Sequence, residues 1–341
     1  MKVLIIGGTG FISSALVRHL RGAGHHVTLF TRGKSHFAQA VKDGVEMLHG
    51  DRSVPSSLED TVGGRTFDAV YDMVAYRPDE SEAAARIFRG RVGRFIHCST
   101  ISVYMVSEEV QCPITEEQGK GPLMEFWERN PFGMGYGINK RLCEEVLWKA
   151  HDERLLPVSM MRPTFVSGPH DPTRRDFFWI ERICDGKPLL IPGSGDCAFQ
   201  QVYVEDVARM FAALLNHPHS VGKAYNIAAE EIFSLNEYLK TLGRLLQREP
   251  EMVHIPQDEF DRLPFSTLRG YDVFPFNTRR TAIFSLDRIK ADLHYRSTSF
   301  RTWMSDTVRW WTLSHKGHSA GYDRRMEEVA VIQNLRQGSS P

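Results

Sequence analysis

The stretch that most constrains the fold lies at the start of the chain, where residues 3–20 read VLIIGGTGFISSALVRHL. An unbroken apolar run, a turn of small residues and a helical pattern follow one another without a gap. A strand that is apolar at every position suits a parallel sheet covered on both faces, because a half-wet strand would alternate. After the glycines, Phe11, Ala15, Leu16 and Leu20 share one helix face, and Gly22 and Gly24 end the pattern. Strand, glycine turn and helix in this order open a βαβ unit. Glycine there lets the chain turn tightly and lets bare backbone approach a ligand. The helix amino terminus adds unpaired N–H groups and a partial positive charge, which together suit a pyrophosphate. Gly7, Thr9, Gly10, Phe11 and Ile12 are therefore the expected dinucleotide cradle. Ser13 stands where such loops carry their third glycine, a position that governs the packing of helix on strand. The serine is expected to cost some closeness and to leave the site in place.

The rhythm continues. HVTLFTR reads as a second strand, FAQAVKDG as a short helix, VEMLHGD as a third strand and FDAVYDMVAY as a fourth. SEAAARIFRGR is a helix, RFIHCSTISVY a fifth strand running into a loop, GYGINKRLCEEVLWKAHDE a long helix and LPVSMMRPTFVSGP a sixth strand. Strands alternating with helices over short connections specify an α/β fold with a doubly wound parallel Rossmann sheet. Beyond Gly168 strand signals thin out, and QQVYVEDVARMFAALLNHP returns to the sheet. The pattern assigns 1–166 plus 199–227 to the dinucleotide domain and 167–198 plus 228–320 to a smaller mixed substrate lobe, with 321–341 as a tail. Phe274, Phe276, Trp303, Trp310 and Trp311 are expected in the core of that lobe.

The end of the second strand selects the cofactor. NAD sites place Asp or Glu there, to accept from the ribose hydroxyls. This chain has Thr31 and Arg32, with Lys34 and Ser35 close behind. A guanidinium welcomes a 2′-phosphate, so NADP is the expected cofactor and NAD the alternative. Asp51, in HGDRS, is placed to reach the adenine amino group, with Arg52 beside it.

Tyr136 and Lys140, in YGINK, are four apart and project from one helix face. A phenol has a reference pKa of about 10. A neighbouring ammonium is expected to lower that value, so that the pair can serve as general acid or base on a hydroxyl or carbonyl. CSTISVY presents Ser99, Thr100 and Ser102 at the carboxyl end of the fifth strand, where each could hydrogen-bond a substrate oxygen or the cofactor.

Taken with GGTGFIS, HGDR, DAVYDMVAY, RPTFVSGP, QQVYVEDVA, AYNIA and the late FSLDRIKADLHY, these pieces resemble the extended short-chain dehydrogenase/reductase family of sugar-nucleotide epimerases, dehydratases and reductases, over roughly residues 1 to 312. LFTRGKS, STISVY and VSGPHDPT look most like a bacterial branch that is also similar to the chloroplast stem-loop-binding proteins. The resemblance implies Tyr136 as acid/base, Lys140 as its partner and Thr100 as the hydroxyl beside it. Val74 and Ala75 would lie along the cofactor, with Pro163 and Val166 near the nicotinamide. A homodimer through the Tyr136 helix and the helix at 81–90 is a further implication.

Two departures narrow the chemistry. The family's 4,6-dehydratases follow the threonine with Asp-Glu, and its sugar-acid decarboxylases carry Glu at the position of Ser102; this chain has Ile101 and Ser102. Epimerase and ketoreductase chemistry, which need hydride exchange and the Tyr/Lys/Thr set, remain. Phe165 stands for the usual Asn, and Phe199-Gln200 for the usual Arg-Asp, which removes polar contacts to a nucleotide diphosphate. Arg174, Arg175, Arg279 and Arg280 are the remaining candidate phosphate donors, with Arg174, Arg280, Ser102 and Phe165 as the substrate set.

Composition bounds the alternatives. Lys plus Arg and Asp plus Glu both number 42, so no net field draws nucleic acid or an anionic membrane, and an RNA-binding or non-catalytic member of the fold is the competing reading. Five cysteines without CxxC spacing read as free thiols in a reducing cytoplasm. The absence of a leader, of a membrane-length apolar run and of an HExxH or Cys/His cluster points to a cytoplasmic protein with no membrane partner and no metal.

Overall fold

The computed structural model describes residues 1–34, 44–126, 133–269, 271–314 and 317–338. The helix expected at FAQAVKDG and the cofactor candidate Ser35 lie outside the described residues. Seven parallel strands form the main sheet. Six are β1 (Lys2–Ile6), β2 (His26–Thr31), β3 (Glu46–His49), β4 (Phe67–Asp72), β5 (Val92–Cys98) and β6 (Val158–Pro163); Ala224–Ile227 is the seventh. Across the sheet they run Ala224–Ile227, β6, β5, β4, β1, β2, β3. The direction of winding reverses beside β1, so the carboxyl ends of β1, β4 and β5 border one crevice.

Both faces of the sheet are covered, which is why β1 lacks alternation. Val3 and Ile5 pack with Leu16 and Leu20 of helix Phe11–Gly22 and with Val207 and Phe211 of helix Val204–Ala213. Leu4 and Ile6 point the other way, into a layer with Leu58, Phe88 and Leu147 from helices Pro55–Val62, Pro78–Phe88 and Met134–Asp152. The helix Pro55–Val62 was not foreseen, although a parallel β3-to-β4 connection calls for a crossover. Its signals are Pro55 at the first turn and Leu58 and Val62 four apart on the buried face.

The sixth strand breaks at its proline. Thr164 separates β6 from β7 (Phe165–Ser167), which leaves the main sheet and pairs in parallel with Gln201–Tyr203. From there the chain builds the second lobe. Helix Arg175–Cys184, the paired strands Leu189–Pro192 and Met252–Ile255, and helices Leu235–Leu245 and Phe300–Ser314 enclose an aromatic core. Phe274, Phe276 and Trp303 are buried in it, with Trp310 and Trp311 packed at its margin.

The expected tail at 321–341 is corrected in its larger part. Residues Arg325–Arg336 form a helix with Val331 and Ile332 in the lobe core. Its Glu328 is buried and accepts two hydrogen bonds from Arg182, at 3.0 and 2.6 Å. The apolar run VAVI at 329–332 is the local signal for this helix, and the ion pair that fixes it is made with a residue about 146 positions away.

Candidate active site

The glycine turn has the geometry of a cradle. Gly7 has φ +83°, and a Cβ there would come within 2.4 Å of Val74, so backbone and the β4 loop are in closest approach. Helix Phe11–Gly22 begins with no acidic residue in its first turn and no side-chain cap on its amino end. Such an end offers its N–H groups to an anion. Ser13 does more than occupy space. Its Oγ donates to Gly7 O at 2.7 Å and accepts from Gly10 N at 2.9 Å, tying the two ends of the turn together. The Thr9 and Thr31 hydroxyls meet at 3.1 Å, and Thr31 also accepts from Gly33 N. Thr31 is thus buried bracing between loop and strand. These features fit a dinucleotide pyrophosphate.

At the end of β2, Arg32 is exposed and lies 4.0 Å from Asp51. Asp51 accepts from the Ser53 N–H and hydroxyl, which holds its carboxyl below the usual range, with Arg32 and Lys34 adding to the effect. Arg52, expected with the cofactor, is instead turned inward. It donates to Asp72 at 2.7 Å and to the Glu80 carbonyl at 2.5 Å, because Asp72 at the end of β4 is wholly buried and needs a cation.

The catalytic candidates meet at the carboxyl end of β5. The Thr100 hydroxyl is near enough to the Tyr136 phenol to favour its ionised form, and it donates to Ser102 Oγ at 3.2 Å while accepting from the Ser102 N–H. Tyr136 is 42 % exposed, yet its hydroxyl end lies deep enough that burial dominates and raises its pKa, with Cys98 and Tyr76 adding to the rise. The expected lowering by Lys140 is not the outcome. Lys140 is buried beneath, with its ammonium donating to Ala75 O at 2.9 Å and Cys98 O at 2.5 Å and facing His97 Nε2 at 3.3 Å. Hydrogens spent on those acceptors are not spent on the phenol.

Tyr76 was missed. Its ring lies 6.4 Å from that of Tyr136 and 5.8 Å from the Lys140 ammonium, so it borders both. The signal was available in VAY, directly after the Val74-Ala75 pair. Val74 and Ala75 link the halves of the site, one against Gly7 and the other against Lys140. Pro163 ends β6 opposite Ile227, and its carbonyl accepts from Ile101 N at 3.1 Å, which brings it to the Thr100 turn. Val166 lies on β7, paired with Val202.

Ser99 faces away from the crevice. Its hydroxyl donates to buried Glu144 at 2.5 Å. Glu144 also accepts twice from Arg162, at 2.8 and 2.6 Å, and Arg162 donates onward to Tyr104 and to the Glu116 carbonyl. Glu144 follows Lys140 by one helical turn, so one helix supplies both the ammonium and the anchor of the Ser99–Thr100 turn.

On the substrate side, Arg174 is directed to the His318 carbonyl at 2.8 Å, and Arg279 is held by Asp261 and Asp272. Arg280 reaches the Met105 carbonyl at 3.5 Å, at the end of the short Ser102–Met105 helix. Arg175 places its cation 5.5 Å from the Phe165 ring, and its charge favours ionisation of Tyr136. Phe165 itself packs on Phe199 and Phe276. Among the described residues there is no cluster of His, Cys, Asp or Glu suited to a metal, and no helix is long and apolar enough to cross a membrane.

Known proteins have similar chains. The chain is 29 % identical over 277 residues to the chloroplast stem-loop binding protein of 41 kDa b of Arabidopsis thaliana, covering 76 % of this chain and 67 % of that one. It is 27 % identical to the 2-alkyl-3-oxoalkanoate reductase of Stenotrophomonas maltophilia, over 71 % of this chain and 74 % of that one. Among solved structures, the UDP-glucuronic acid 4-epimerase of Bacillus cereus in complex with NAD superposes with a TM-score of 0.70 at 18 % identity, covering 93 % of this chain and all of that one. The UDP-glucose 4-epimerase of Thermotoga maritima gives 0.71 at 20 %, over 92 % and 99 %. Residues 3–228 match the model of the NAD dependent epimerase/dehydratase family, and the chain belongs to that family.

Proposed function

We propose that this protein is an NAD(P)-dependent oxidoreductase or epimerase that acts at a carbinol carbon of a sugar or sugar nucleotide. The observation that carries the reading is the Tyr136 phenol brought beside the Thr100 hydroxyl, at the end of β5 and one helical turn from Lys140. The nicotinamide, when bound, supplies or accepts the hydride. Tyr136 gives its proton to the substrate oxygen during reduction or removes it during oxidation. Thr100 and Ser102 fix that oxygen, and Tyr76 narrows the approach. Burial keeps the Tyr136 phenol protonated, the form a reduction starts from, and also makes it a weaker acid, so a cation drawing near would ease proton transfer in either direction. Arg175 is the candidate cation from the lobe, and a substrate carrying a phosphate or carboxylate would meet it there.

Gly7, Thr9, Gly10, Phe11 and Ile12 hold the pyrophosphate in this reading. Arg32 and Lys34 make NADP the preferred cofactor, since no acid stands at the end of β2 to select NAD. Helices Pro78–Phe88 and Met134–Asp152 lie side by side and are the candidate homodimer face. RNA binding is the second reading, favoured by the likeness to the stem-loop binding protein; the balanced charge counts against it.

The test is NADPH and NADH binding by fluorescence, followed by turnover against a panel of sugars, sugar nucleotides and simple ketones. Tyr136→Phe should bind cofactor normally and lose at least a hundredfold in kcat. Turnover that survives in this variant refutes the assignment, and NADH bound at least as tightly as NADPH refutes the cofactor preference.

A further inference from the structure

An ammonium has three hydrogens and no lone pair. Lys140 is 2 % exposed, so each hydrogen needs a protein acceptor. Two go to backbone carbonyls, at 2.9 and 2.5 Å, and the third faces His97 Nε2 at the longest of the three distances, 3.3 Å. His97 is wholly buried on β5, opposite Asp72 of β4. The contact forms only if Nε2 carries the lone pair and the hydrogen sits on Nδ1. Nδ1 is buried and has no hydrogen-bond partner among the described residues.

The surroundings keep this imidazole neutral. Burial, then the charges of Lys140, Arg52 and Arg162, push its pKa well below the ordinary histidine value. The nearby anions are already engaged, Asp72 by Arg52 and Glu144 by Arg162. Cys98 and Cys143 stay as thiols, because burial raises both.

We propose that His97 is a positioning residue that serves as the resting acceptor for Lys140, the one of its three partners that the lysine exchanges for a cofactor sugar hydroxyl. This rests on the assignment of Lys140 under the proposed function. The two carbonyls are fixed by β5 and by the turn after β4, whereas the imidazole contact is the weakest and the easiest to give up. In the cofactor-free protein His97 prevents a stranded N–H; in the bound protein that duty passes to the ligand.

The sign of the consequence is unusual. Removing the acceptor destabilises only the cofactor-free form, so affinity rises. His97→Leu is expected to bind NADPH about five- to tenfold more tightly than wild type and to melt earlier without it. His97→Gln, whose amide oxygen still accepts, should stay within about twofold. In a Lys140→Met background the His97→Leu effect should vanish. Equal or weaker affinity for His97→Leu overturns the proposal, as a mere packing role would give that result. Should His97→Leu fail to fold, imidazole ¹⁵N NMR of the wild-type full chain decides, with His97 assigned by its loss in His97→Gln. The expected signal is one neutral tautomer with hydrogen on Nδ1 at neutral pH, whose Nε2 resonance moves when NADPH is added. A hydrogen on Nε2, or a resonance that does not move, overturns it. These readouts need no turnover: binding with His97 unmoved sinks this inference alone, whereas failure to bind either nicotinamide dinucleotide sinks the proposed function.

Discussion

Ser13 invites a substitution whose usual expectation is reversed here. Glycine is common at this position, so Ser13→Gly looks like a repair. The structure says otherwise. The Ser13 hydroxyl makes one hydrogen bond to Gly7 O at 2.7 Å and one from Gly10 N at 2.9 Å, and both are lost on truncation. A typical intramolecular hydrogen bond contributes about 0.5–1.5 kcal/mol, so the pair contributes about 1–3 kcal/mol. Gly10 is exposed, and its freed N–H can turn to water, which puts Ser13→Ala in the lower half, about 1–2 kcal/mol. Ser13→Gly adds a glycine to the first turn of the helix and costs up to about 1 kcal/mol more. Equilibrium urea unfolding reads the stability change, and fluorescence titration with NADPH reads the loop. Because a slack turn must be ordered on binding, Ser13→Ala should weaken affinity about fivefold or more, and Ser13→Gly further still. Tighter binding by Ser13→Gly than by wild type would refute the idea that the hydroxyl, rather than closeness of helix to strand, sets the turn.

Two further outcomes follow from buried charges. Glu144→Gln leaves the wholly buried Arg162 without its counter-ion, and should cost about 3–5 kcal/mol in urea unfolding; a loss below about 1 kcal/mol would show that the pair is dispensable. Asp176 is buried beside Tyr238, Gln201 and Asp171, and burial pushes its pKa up to about 6. The folded state therefore holds this proton more tightly than the unfolded chain, so the associated stability is present below about pH 4 and lost as pH rises through about 6. The stability of Asp176→Asn relative to wild type should grow by up to about 3 kcal/mol between pH 4 and 7, and a difference that is flat with pH contradicts this.

The dinucleotide half was legible because its signals are local. Apolar runs, the glycine turn and the Tyr136 helix each declare themselves within about twenty residues, and strands alternating with helices call for a parallel sheet with right-handed crossovers. What escaped reading depends on partners distant in sequence. Ser99 and Thr100 are neighbours, yet one faces Glu144 and the other Tyr136, and no pattern in CSTIS tells which. Arg52 looked like a ligand contact because nothing nearby in sequence marks Asp72 as a buried anion. The same holds for Arg174 and Arg175, where a left-handed residue at 174 sends consecutive side chains to opposite sides. Helix Pro55–Val62 was a different kind of miss, since its buried face is only two residues.

The helix Arg325–Arg336 carries a consequence for biogenesis. Every strand of the main sheet has been synthesised by residue 227, roughly a hundred residues before Ile332 emerges to seal the lobe. A nascent chain thus holds every sheet strand while Leu286, Ile289, Leu293 and Tyr295, which pack in the core of the sheet, are still to come and the lobe still exposes an aromatic interior. That interval, rather than the finished molecule, is where the protein is most open to aggregation and to chaperone capture.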